Sequence, residues 1–248
     1  MNQVPEFQTH RHPLEQESVL ATNKVLRNTY LLLSMTLAFS AACTVMGMSL
    51  SYGWSMGCLL GGFVMSFVVR ANANSSMGLI AIFAFAGLFG AAIGPMINTY
   101  LTVYSNGGTI VAQALGGTAM IFLTLSGYAL VSGKDFSYMR GFLMTGLLVA
   151  LVAMLANFFF QIPALSLAIS AVVIMIMSGL ILYDTSRIIN GGERNYINAT
   201  ISLYLSFFNI FIHLLHLLAV FTGRRKPEDS SVFQSSNIKA PDYLGLFI

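Results

Sequence analysis

Seven long apolar stretches constrain this chain of 248 residues more than any other feature of its sequence. A helix needs about 20 consecutive apolar residues to cross the roughly 30 Å hydrocarbon core of a bilayer at about 1.5 Å per residue. Short polar or Gly/Pro segments separate the stretches, which cover residues 29–50, 52–69, 77–97, 109–131, 141–160, 164–183 and 197–221. The sequence therefore predicts an all-α membrane protein with seven helices that span the lipid bilayer.

The composition excludes the main alternatives to a helical membrane protein. Charged residues make up 8% of the chain and hydrophobic residues 56%, so too few polar side chains exist to coat a soluble domain or to keep a chain disordered. The net charge of +3 forms no basic stripe, and we therefore expect no nucleic-acid partner. Phosphate-binding and metal-ligand motifs are missing as well, which predicts a protein that is not an enzyme and holds no metal or cofactor.

The loop charges predict the orientation, because Lys and Arg near the ends of spans stay on the cytoplasmic side. Basic residues lie before the first span and in the second, fourth and sixth loops: Arg11, Lys24, Arg27, Arg70, Lys134, Arg140, Arg187 and Arg194. The first, third and fifth loops hold none. We therefore expect a cytoplasmic polar tail over residues 1–27, a transmembrane domain over 28–222 and a second tail over 223–248.

The last apolar stretch conflicts with this charge rule. Arg224, Arg225, Lys226 and Lys239 follow it, and seven crossings would place them outside the cell. Either this tail is exported despite its charge, or the last stretch is re-entrant and returns to the cytoplasm. A length of about 25 residues favours a full crossing.

Polar side chains recur along one face of the seventh stretch. Their spacing of 4, 3, 4 and 3 follows the helical period, so they predict a central helix that turns this face toward the bundle interior: Ser202, Ser206, Asn209, His213 and His216. We expect the serines and Asn209 to hydrogen-bond neighbouring helices. The two histidines are consistent with satisfied core residues, with a pH-responsive group, or with a metal pair that lacks an identifiable third ligand.

Asp184 is the other ionisable residue near membrane depth, at the end of the sixth stretch. One hypothesis is a local ion pair with Arg187, three residues further along the helix. The alternative is a gate, in which the pairing of Asp184 with Arg187 or Arg70 changes with pH and opens an ion path. Asp135 and Glu193 are interpreted as ordinary surface charges.

Small residues predict close helix packing. Gly57 and Gly61 form one GxxxG pair and Gly90 and Gly94 another, and such pairs let two helix backbones approach each other. We expect this approach within one compact bundle, and a dimer interface is the alternative. Cys43 and Cys58 lie in apolar runs without metal or redox spacing, and we interpret both as small core residues.

Several segments, taken in order, resemble the Bax inhibitor family of transmembrane proteins, and especially its bacterial YccA-type branch. They are Gly94-Pro95-Met96-Ile97, Gly127-Tyr128-Ala129, Lys134-Asp135-Phe136-Ser137-Tyr138-Met139, Leu182-Tyr183-Asp184-Thr185-Ser186-Arg187-Ile188-Ile189 and Ser202-Leu203-Tyr204-Leu205-Ser206-Phe207-Phe208-Asn209-Ile210-Phe211. The resemblance covers residues 24–223. It implies a compact bundle of seven helices with the last one central, in the inner membrane of the cell.

The resemblance also implies two functions. The YccA-type branch is associated with the membrane-anchored AAA protease FtsH, which pulls its members by a cytoplasmic N-terminal tail and is restrained by resistant ones. Other members of the family are pH-sensitive Ca²⁺ leak channels gated by a pair of aspartates. The first aspartate of that pair matches Asp184, and the second falls at Ser206, which is not a carboxylate in this chain.

Overall fold

Seven long helices make up the computed structural model, which describes residues 13–226 and the side chains of residues 23–226. They are α1 (Pro13–Gly47), α2 (Tyr52–Ala71), α3 (Ser76–Val103), α4 (Gly107–Ser132), α5 (Arg140–Phe160), α6 (Pro163–Ile189) and α7 (Tyr196–Thr222). A single 3₁₀ turn, Ser137–Met139, leads into α5. Each of the seven is long and apolar enough to cross a membrane, which confirms the predicted fold class.

Three helices extend well beyond their predicted spans, and α6 is one of them, since it continues past residue 183 to Ile189. α3 runs through Pro95 to Val103, although residues 98–108 were predicted to form a loop. Threonine residues in this last part are compatible with a helix because their hydroxyls donate to backbone carbonyls one turn earlier. The Thr99 hydroxyl, for example, donates to the carbonyl of Pro95 at 2.9 Å. α1 begins at Pro13, inside the predicted polar tail 1–27. The remainder of that tail, residues 1–12, and the C-terminal tail from residue 227 lie outside the described residues.

α7 is the central helix, as its polar stripe predicts. It packs against α1, α2, α3, α4 and α6. Large side chains along its length, such as Leu203, Tyr204 and Ile210, are fully buried. Burial on nearly every side explains why α7 carries the polar groups of the core, since in lipid they need partners from neighbouring helices.

Only one of the two predicted glycine pairs mediates a close approach of backbones. A Cβ atom at Gly90 would collide with the backbone of Ser40, and one at Gly94 with the backbone of Gly47 and Met48. These glycines therefore seat α3 directly on α1. Gly57 faces open space and Gly61 meets just one side-chain atom, of Leu88, at 3.6 Å, so the prediction that this pair brings two helices together within the bundle was wrong.

Hydrogen bonds between loops show that α7 extends from one end of the bundle to the other. At one end, the amide of Asn195 after α6 donates to Asn74 between α2 and α3 at 2.7 Å. At the other end, the backbone N–H of Arg224 donates to Asn106 between α3 and α4 at 2.9 Å. α7 therefore crosses the bundle completely, which excludes the re-entrant alternative and places Arg224 opposite the end that carries Arg70.

Candidate functional site

A cavity of about 650 Å³ lies between α2, α5, α6 and α7. Its walls are mostly Leu, Phe and Met side chains, with the hydroxyls of Ser202 and Ser206 and the amide of Asn209 along α7. Charged residues line one end of it: Arg70, Arg140, Asp184 and Arg187. Five of the seven predicted site residues therefore share one cavity: Arg70, Asp184, Arg187, Ser206 and Asn209.

Helix ends position the charged groups. Arg70 lies in the last turn of α2, Arg187 in the last turn of α6 and Arg140 at the first position of α5. These ends meet at the same side of the bundle, where cationic side chains in a last helical turn complement the helix dipole. The guanidinium groups of Arg187 and Arg70 both act electrostatically on the partly buried carboxylate of Asp184.

The predicted ion pair between Asp184 and Arg187 does not form. Arg187 instead pairs with Glu193 at 3.4 Å, donates to the carbonyl of Gly192 at 3.3 Å and lies over the ring of Tyr183. The cause is the chain reversal after α6, where Gly191 adopts a φ of 72° that favours glycine. This turn brings Glu193 back to Arg187, so Glu193 is a structural partner and not an ordinary surface charge.

The resemblance implies a path for Ca²⁺, and the described lining of the cavity offers one carboxylate to bind this ion. Asp184 and Ser206 line the same space, as the resemblance implies for the two gating positions. Asp184 is the one acidic residue among the lining residues that the structure describes. Calcium sites in proteins use six to eight oxygen ligands, and their affinity rises with the number of carboxylates. The Ca²⁺ leak therefore stays a prediction with one carboxylate to support it.

The polar stripe of α7 divides into two parts. Ser202, Ser206 and Asn209 face the cavity. His213 and His216 lie further along α7, where the Nδ1 atoms of both rings meet the hydroxyl of Ser170 on α6, at 3.1 Å and 3.0 Å. Ser170 and His213 are buried. The serine thus joins α6 to the central helix through both histidines.

The hydroxyl of Ser170 fixes different tautomers in the two rings. It carries one proton, so it can donate to one Nδ1 and must accept a proton from the other. The Nε2 atom of His213 is buried and has no hydrogen-bond partner among the described residues. No group of three His, Cys, Asp or Glu that could hold a metal forms within residues 13–226. The pH-responsive role of this pair stays a prediction.

Ser170→Ala should destabilise the bundle by about 1–3 kcal/mol, because it leaves buried imidazole nitrogens without a partner. The midpoint of unfolding in detergent measures this effect. Ser34→Ala is the matched control, since the exposed Ser34 hydroxyl bonds to the carbonyl of Tyr30 within its own helix at 2.8 Å. Equal midpoints for the two variants would show that Ser170 does not stabilise the histidine pair.

Sequence reasoning missed several residues of this region. Ser170 was missed because it lies in the sixth stretch, whereas polar residues at helical spacing were sought in the seventh. Arg140 was used for orientation alone, although its position at the start of a span was a signal for the charged end of the cavity. Tyr204 lies in an apolar run, where an aromatic residue is expected in the core, yet its hydroxyl forms a hydrogen bond with Ser40 on α1 at 2.7 Å.

The loop before α5 is anchored to the same end of α6. The hydroxyl of Ser186 donates to the carbonyl of Lys134 and accepts from the N–H of Phe136, both at 3.0 Å. Asp135 is exposed, as expected of a surface charge, and accepts from the N–H of Ser137 at 2.8 Å. The hydrogen bonds from Ser137 lower the pKa of Asp135. This loop therefore holds the start of α5, and with it Arg140, beside α6.

Comparisons with known proteins agree with the resemblance. A family model described as "Inhibitor of apoptosis-promoting Bax1" matches residues 22–223. The chain is 51% identical over 208 residues to an Escherichia coli K12 protein named "Modulator of FtsH protease YccA", a match that covers 82% of this chain and 93% of that protein. The same identity and coverage relate it to "Inner membrane protein YccA" of E. coli O6:H1. A Vibrio cholerae protein named "Uncharacterized membrane protein" is 48% identical over 207 residues, with 82% of this chain and 92% of that protein covered.

Proposed function

This chain belongs to the Bax inhibitor family, and from that premise we propose that it modulates the membrane protease FtsH in the inner membrane. The observation that carries the proposal is the 51% identity to the modulator of FtsH named YccA, across 93% of that protein. The family model, which matches residues 22–223, includes all seven candidate spans of the described chain. In this proposal the chain acts on FtsH as a folded binding partner and not through a catalytic group of its own.

The N-terminal helix supports this role. α1 contains 35 residues, which makes it about 52 Å long, whereas the hydrocarbon core is roughly 30 Å thick. Its first turns therefore project beyond the membrane. By the distribution of basic residues this end is cytoplasmic, where a protease that pulls on a terminal segment would reach it.

The attachment of α1 to the core supports resistance to extraction. α1 packs on α3, α6 and α7. Its Ser40 bonds to Tyr204 of the central helix at 2.7 Å, and its Tyr30 to Thr185 of α6 at 3.3 Å. A force applied to the N-terminus acts first on these contacts, so unravelling α1 requires opening the centre of the bundle. A chain that is grasped but hard to unfold would occupy the protease and restrain it.

Affinity purification from native membranes tests the proposal. The full-length protein, extracted in a mild detergent, should retain FtsH, and its overproduction should slow the degradation of another FtsH substrate several-fold. An unrelated membrane protein of seven spans, produced to the same level, controls for crowding of the membrane. Absence of FtsH from the purified material, together with unchanged degradation of the other substrate, would contradict the proposal. Ca²⁺ flux through the purified protein in liposomes would then favour the leak channel.

A further inference from the structure

The cavity described above is also a groove that opens sideways toward the lipid. It lies between α2, which packs mainly on α3, and α5, which packs mainly on α6. Side chains on the rim of the cavity are exposed on the outer surface of the bundle at membrane depth: Leu60, Phe63, Met144 and Leu151. A hydrocarbon chain in the bilayer can therefore enter the groove laterally without passing through water.

The depth of the groove corresponds to one leaflet of the membrane. Along α2 its lining extends from Arg70 to Leu59, and along α5 from Arg140 to Leu151. Each distance is about 16 Å at 1.5 Å per residue, which is close to half of the roughly 30 Å hydrocarbon core. The groove thus starts at the membrane surface and ends near the middle of the bilayer, as an acyl chain of a phospholipid does.

The charges at the surface end favour an anion. Arg70 and Arg140 are exposed, and neither forms a hydrogen bond or a salt bridge within the described part of the chain. Glu193 already neutralises Arg187. Asp184 offsets one of the two remaining positive charges, which leaves the groove with an uncompensated guanidinium group. Arginine binds phosphate oxygens through two parallel hydrogen bonds, which makes it a suitable phosphate ligand.

We propose that the groove binds an anionic phospholipid of the leaflet on the arginine side. Arg70 and Arg140 bind its phosphate, and one acyl chain fills the apolar space between α2 and α5. The site differs from the interaction with a protease at the N-terminus, because it uses other helices and faces the lipid. A lipid held there connects two helices of the bundle that have few contacts of their own.

Native mass spectrometry of the full-length protein tests this site by titration with dioleoyl phosphatidylglycerol. The wild type should retain one molecule of this lipid more tightly than it retains phosphatidylcholine. The double variant R70Q/R140Q should bind it about tenfold more weakly, because each basic residue near a membrane surface contributes attraction to anionic lipid. The control K134Q/R194Q removes the same charge from two exposed residues at this end of the bundle that do not line the groove.

A second pair of variants tests the acyl chain. Leu151→Trp fills the groove, whereas Leu148→Trp adds the same bulk on a face of α5 outside the lining. The proposal expects weaker lipid binding in the first variant alone. Equal losses in R70Q/R140Q and K134Q/R194Q would overturn it in favour of general surface charge. Displacement of the lipid by millimolar glycerol phosphate, with no effect of Leu151→Trp, would overturn it in favour of a site for free phosphate.

Discussion

Gly94→Ala is expected to weaken the bundle sharply, although it adds a single methyl group. The new Cβ would lie where the backbone of Gly47 and Met48 in and after α1 now lies. Backbone cannot rotate away as the end of a side chain can, so α1 and α3 must separate along their contact. Extra methyl groups in packed cores typically cost about 1–3 kcal/mol, and we expect the upper part of that range here.

Gly57→Ala is the matched control for this prediction. It makes the same chemical change within a helix, but a Cβ at Gly57 meets nothing within 4 Å. Alanine favours a helix by up to about 1 kcal/mol over glycine, so this variant should be neutral or slightly stabilised. The midpoint of unfolding in mixed detergent should therefore fall for Gly94→Ala and stay unchanged or rise slightly for Gly57→Ala. Equal midpoints would show that the contact between α1 and α3 does not depend on the glycine.

The same pair connects stability to the proposed function. Because α1 is the helix nearest the proposed handle, a looser contact between α1 and α3 lowers the work needed to extract it. Gly94→Ala should therefore be degraded several-fold faster than the wild type in cells that contain FtsH. Gly57→Ala should keep the half-life of the wild type.

Removal of residues 2–12 is expected to lengthen the half-life of the protein many-fold in the same cells. This deletion ends just before α1 and leaves every described helix intact. A protease that starts from a terminal segment on the cytoplasmic side then lacks its starting point. Pulse-chase labelling with and without FtsH measures the effect.

Removal of residues 238–248 is the control of equal length. Seven crossings predict that the C-terminal tail is on the opposite side of the membrane from the N-terminus, beyond the reach of a protease that acts on the N-terminal side. We expect an unchanged half-life. Equal stabilisation by both deletions, or none by the first, would contradict the role of the N-terminal segment as a handle.

Local patterns predicted much of this molecule. The number of helices and the central position of α7 follow from hydropathy and from the period of one polar stripe, because the bilayer imposes the same requirement on each span separately. The shared location of Arg70, Arg140 and Arg187 at one end follows from loop charges. Asp184 was singled out because an acidic residue is rare near membrane depth.

The tertiary structure decided what each of these residues contacts. Two glycine pairs with the same spacing behave differently, because one faces a helix backbone and the other open space. Arg187 pairs with Glu193 and not with Asp184, since the turn at Gly191 brings the glutamate back. The cavity requires α2 to lie beside α5, α6 and α7, which are distant from it in sequence. The bond of Ser170 to two histidines requires one particular face of α6 to pack against α7. Hydropathy predicts whether a side chain is buried in an apolar environment or requires a polar partner. The packing of the other helices determines which residue that partner is.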